Sequence, residues 1–82
     1  MPRDSEFFVA VRPARYAAYA CDEGPAHLQI AAQARSFEEA ALEFTETWHS
    51  DAPAVKVMVI DRETGREQCF TIDVGGDVEA CA

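Results

Sequence analysis

One helix, lying between β-rich segments, constrains this chain more than any other feature. Ser36 is followed three residues later by Glu39, the spacing of a capping box, in which the serine oxygen accepts from the third helical N–H while the glutamate reaches back toward the cap. Beyond the cap, at 100° per residue, Phe37, Ala40, Ala41, Phe44 and Trp48 fall on one stripe, and Glu39, Glu43 and Glu46 fall on the opposite side. The stripe is a core face and the glutamates are solvated. Asp51-Ala52-Pro53 stops the element, because proline disfavours helical geometry in the residue before it.

Two strands follow, over 55–60 and 67–74, joined by Asp61-Arg62-Glu63-Thr64-Gly65-Arg66. This spacing fits a four-residue loop built on a type I turn, with Gly65 in the left-handed position. Pairing Asp61 with Arg66 then sets the register. Val59 faces Gln68, Val57 faces Phe70 and Val55 faces Ile72 on one side, while Met58 faces Cys69 and Lys56 faces Thr71 on the other. The Val/Phe/Ile side has the hydrophobicity to meet the helix, so turn chemistry and face pattern agree.

Upstream, residues 6–12 (EFFVAVR) are β-rich and stop at Pro13, whose missing N–H ends a ladder. Residues 14–24 fit neither period: they extend the strand or form a loop whose Tyr16 and Tyr19 pack on the sheet. Asp22-Glu23-Gly24-Pro25 is a turn signal. After it, Ala26, Leu28, Ile30 and Ala32 alternate with His27, Gln29, Ala31 and Gln33, the two-residue period of a half-buried strand.

The order strand, strand, helix, strand, strand predicts an α+β domain, ββαββ, with an antiparallel sheet of about four strands and the helix packed on one face. At 82 residues the chain can build one core, so a single domain is expected, ordered over about 6–75 with frayed ends at 1–5 and 76–82. One helix covers one side of such a sheet. On the other side Met58, Ile60 and Cys69 come together beside Lys56, Thr71 and Asp73, and this trio is the expected interface.

Fifteen acidic against seven basic residues give a net charge of −8, which opposes attraction to nucleic-acid phosphates and to anionic membranes. Solubility alone accounts for such a charge; a basic protein partner or self-association fits its sign. Tyr16 and Tyr19 could stack bases on an open sheet, but the chain lacks the basic groove that such binders use. No stretch approaches the roughly 20 apolar residues of a membrane span, and the N-terminus lacks a signal-peptide layout, so a cytoplasmic location is expected.

Cys21, Cys69 and Cys81 are odd in number and lack CxxC spacing, so neither a disulfide framework nor a zinc site is encoded locally, and thiols in a reducing compartment are expected. Cys69 reads as a small strand hydrophobe with no basic sequence neighbour to activate it. His27 falls on the polar side of a strand. His49, at the helix end, is explained by the macrodipole, and no pair of ligands has metal spacing. There is no nucleophile elbow and no phosphate loop, and Gly75-Gly76 leads to no helix. The expectation is therefore no catalytic, metal or cofactor residues and no cofactor.

Through Ser36-Phe37-Glu38-Glu39-Ala40-Ala41, the hairpin from Asp61 to Asp73, and Glu79-Ala80-Cys81, the chain resembles a family of small uncharacterised proteins, a domain of unknown function seen mainly in alphaproteobacteria. The resemblance covers most of the chain beyond residue 26. Its motifs are structural, so it implies no activity and no site residues. The functional expectation is a non-enzymatic interaction module, a homodimer through the open sheet face or a sheet edge, with a thiol-based redox or small-ligand protein centred on Cys69 as the alternative.

Overall fold

A computed structural model describes residues 14–48, 53–73 and 75–81. Among these residues, five strands form one antiparallel sheet: β1 (Tyr16–Ala20), β2 (Gln29–Ala31), β3 (Ala54–Asp61), β4 (Glu67–Asp73) and β5 (Val78–Ala80). Their spatial order is β2-β1-β3-β4-β5. One helix, α1 (Phe37–Thr47), follows β2 and packs on one face. The class is α+β, with five strands where about four are expected.

The hairpin forms in the predicted register, with Val55 opposite Ile72, Val57 opposite Phe70, Met58 opposite Cys69 and Val59 opposite Gln68. Asp61 N–H donates to the Arg66 carbonyl (2.8 Å) and Gly65 N–H to the Asp61 carbonyl (2.7 Å), closing a loop in which Gly65 has φ +80°. That backbone conformation excludes most side chains at little cost to glycine.

The helix starts where the cap predicts. Ser36 is extended, and its Oγ accepts from Glu39 N–H at 3.1 Å. The Glu39 carboxylate accepts from Arg35 N–H at 2.9 Å, one residue before the position a standard capping box uses. Ala40, Ala41 and Phe44 are buried with Tyr16, Ala18, Ala20, Ala31, Val57, Val59, Phe70 and Ile72 in one core, and Phe37 and Trp48 pack half-buried at its edge. The run of alanines on both surfaces lets α1 sit close over the centre of the sheet. After Thr47 the chain turns extended at Trp48. His49 and the Asp51-Ala52 part of the stop signal lie outside the described residues, as do the strand expected over 6–12 and Pro13.

One open alternative is decided and two expectations are corrected. Residues 16–20, left open between strand and loop, form a strand paired on both sides, with β2 and with β3. The strand expected over 26–33 shortens to Gln29–Ala31 behind a 3-10 turn at Pro25–His27, and its phase is inverted: Ala31 is buried while Leu28 and Ile30 are 42% and 50% exposed. Alanines occupy both phases of this segment, so alternation alone could not select the inner face. The choice is made by Tyr16, which pairs with Ala31, and by Thr47, whose hydroxyl donates to the Gln29 side chain at 3.0 Å and holds it toward the helix. Finally, the end expected to fray carries β5. Asp73 Oδ1 accepts from Gly75 and Asp77 N–H groups (2.9 and 3.1 Å), and Gly76, at φ +88°, lets the chain reverse onto β4.

Candidate functional site

The register aligns the side of the sheet away from α1 in rows. Ile30, Ala17 and Ile60 share one row, followed by Glu67; Tyr19, Met58 and Cys69 share the next; Lys56, Thr71 and Glu79 form a third. The predicted trio Met58, Ile60 and Cys69 therefore lies together on this face, each residue half-buried, while Ala17 among them is wholly buried. The most exposed large apolar side chains are beside them, at the β2 edge, where Leu28 and Ile30 stand out of the sheet.

Cys69 is not a free thiol in this structure. It is joined to Cys81 by a disulfide, and Cys81 N–H donates to the Cys69 carbonyl at 3.0 Å. This overturns the expectation of reduced thiols for two of the three cysteines; Cys21 is free and half-buried. The bond escapes a spacing argument because twelve residues separate the pair, and the glycine turn that brings them face to face carries no strand signal in the sequence.

At the end of β3, Asp61 is the buried charge among the described residues, 2% exposed. Arg15 grips it with two parallel hydrogen bonds, Nε to Oδ1 (3.0 Å) and Nη2 to Oδ2 (2.8 Å), and Glu63 N–H donates to Oδ1 at 2.9 Å. The Arg15 guanidinium, hydrogen-bonded to the carboxylate, holds Asp61 well below the usual carboxylate range despite burial, and Asp61 in turn raises Arg15. Both groups stay charged across the neutral range, so the pair is a clasp and not a proton relay. Arg15 also lies over the Tyr16 ring (5.5 Å), which meets Phe37 edge-on (5.3 Å). Arg62 N–H, donating to the Arg15 carbonyl at 2.7 Å, ties the hairpin loop to the start of β1. An Arg and an Asp 46 residues apart carry no sequence signal of this contact.

A pocket of about 70 Å³ opens between β2 and α1, against Ala18, Gln29, Phe44 and Thr47, far below the roughly 300 Å³ of small-molecule sites. A wide depression over Gln33, Leu42, Glu39, Glu43 and Glu46 is open to solvent. Among the described residues, no group of three His, Cys, Asp or Glu side chains could hold a metal ion, and no helix is long and apolar enough to cross a membrane.

The profile of a family of unknown function, DUF5961, matches residues 14–82. The chain belongs to this family. The DUF5961 match begins two residues before β1, so it takes in Tyr16, Tyr19 and the first turn as well as the segments beyond residue 26. It therefore spans all five strands and α1. No curated protein and no solved structure matches the chain.

Proposed function

We propose that this DUF5961 protein is a non-enzymatic interaction module that pairs with a second copy of itself along the β2 edge and the adjoining Ile60–Met58 face. The observation that carries this reading is the exposure of Ile30 on an edge strand and of Leu28 just before it. Folded proteins usually blunt such edges with charge or proline. Here residues 26–34 (AHLQIAAQA) contain no Asp, Glu, Lys or Arg in a chain of net charge −8. A second copy can approach this segment without like charges meeting. A two-fold axis through Ile30 brings the same uncharged strand from both subunits together, as an isologous contact requires, and Ile60, in the same row as Ile30, extends the apolar strip inward. A cytoplasmic location remains part of the proposal.

The test is light scattering over a concentration series on the wild type, Ile30→Lys and Met58→Lys. The wild type is expected to be dimeric. Ile30→Lys is expected to give a monomer with unchanged helical circular dichroism, because like charges then meet across the axis. Met58→Lys, on the adjoining face, is expected to weaken the dimer less. A wild type that stays monomeric at high concentration rules out self-pairing, as does an Ile30→Lys variant that remains fully dimeric.

A further inference from the structure

We propose that Cys69 and Cys81 form a reversible redox site whose reduction by a dithiol releases β5 from the sheet. Three observations about the placement of the bond support this. It joins β4 to an edge strand of only three residues, held by the register pairs of Phe70, Thr71 and Ile72 with Ala80, Glu79 and Val78. β5 adds little to the core, since Val78 is half-buried while Glu79 and Ala80 are exposed. Both sulfur-bearing residues are half-buried on the face away from α1, where no element among the described residues lies over them, so a thiolate has access.

Thr71, next but one to Cys69 on β4, places its Oγ1 3.7 Å from the Cys81 sulfur. A disulfide sulfur has no proton, so the hydroxyl is the donor, and it is placed to stabilise Cys81 as the departing thiolate. A reductant thiolate attacks the Cys69 sulfur, the S–S bond breaks, and Cys81 leaves with the electron pair. The second thiol of the reductant, as thiolate, then attacks the mixed disulfide and displaces Cys69. The reductant ends as a disulfide, and two protons and two electrons reside on the Cys69 and Cys81 thiols.

Without the cross-link, β5 keeps a short ladder and the Asp73–Asp77 turn, and short strands with few buried contacts open at the lowest cost in a fold. Its departure leaves the β4 edge with unpaired backbone groups, while the core of Val57, Val59, Phe44 and Ile72 still has α1 above it.

The test uses the full chain, oxidised, in glutathione buffers of graded ratio and separately with a thioredoxin-type dithiol protein. The redox state is read by thiol alkylation and mass, and structure by hydrogen exchange. The expected result is full reduction by the dithiol protein. The amides of Asp73, which bonds Asp77, and of Cys81 are expected to lose protection, while β3 amides and helical circular dichroism stay unchanged. Thr71→Val is expected to slow reduction about fivefold, the factor that one ordinary hydrogen bond contributes. The double variant Cys69→Ser/Cys81→Ser is expected to reproduce the exchange pattern of the reduced wild type. A bond that resists excess dithiol protein, a reduced form that loses its helix, or an unchanged exchange pattern on reduction each overturns the proposal.

Discussion

Single side chains set the limits of this fold at its two ends. Asp61 is ionised and gripped by Arg15, and its folded-state pKa lies below the unfolded value of about 3.9. A depressed carboxylate stabilises the fold fully above the unfolded pKa, and that contribution is lost as pH falls below it toward the folded value. Urea unfolding is therefore expected to show stability level between pH 5 and 7 and falling below about pH 4, with Asp61→Asn flattening the fall and lowering the plateau. A fall of equal steepness in Asp61→Asn would assign it to other carboxylates. Ser36→Ala is expected to cost about 1 kcal/mol, the usual loss of a serine cap, read as a shift in the urea midpoint. At the other end of α1, Trp48 stacks on Phe44 at 5.5 Å, and its ring N–H is buried without a hydrogen-bond partner among the described residues. Being half-buried, it is expected to lose about 2 kcal/mol as Trp48→Ala, less than the about 3–5 kcal/mol of a fully buried aromatic, and much less as Trp48→Phe.

Among the elements, the hairpin and the helix are the ones governed by local chemistry. Gly65→Ala is a clean check: nothing lies within 4 Å of the added carbon, so the cost is that of the backbone conformation alone, about 1–2 kcal/mol, measurable by chemical denaturation. The hairpin register was legible because the turn residues and the Val57/Phe70 and Val55/Ile72 pairs specify the same alignment. α1 was legible because Ser36 and Phe44 mark its start and inner face. β2 was not, since its inner face is chosen by Tyr16 and Thr47, which are distant in sequence. β5 was hidden because a glycine pair that lets a chain reverse looks the same as one that lets it fray. Register alone brings Met58, Ile60 and Cys69 together; that Cys69 is cross-linked, and that Leu28 and Ile30 are the exposed neighbours, depends on β5 and β2, whose placing is not local.

At the scale of the whole molecule, the core is thin. The largest fully buried side chains are two valines, and Phe44 and Phe70 are the buried phenylalanines among the described residues. A chain of this length has a total stability of roughly 4–12 kcal/mol, so Phe44→Ala, at about 3–5 kcal/mol, is expected to remove a large share of it, read as a lowered urea midpoint of the helical circular dichroism. Surviving near-wild-type stability would mean that α1 is held mainly by its alanine contacts.

The sheet order has a consequence for how the chain is made. β1 has β2 on one side and β3 on the other, yet β3 is synthesised more than thirty residues after β1. Among the described residues, β1 and β2 alone make a two-stranded ribbon, which is marginal in water, and before β3 and β4 are made α1 lacks the part of its surface that they supply. The newly made N-terminal half thus exposes Tyr16, the β1 alanines and the apolar side of α1 together. The centre of the finished sheet is completed by a late segment, and a chain released before residue 61 lacks the strand that closes its core.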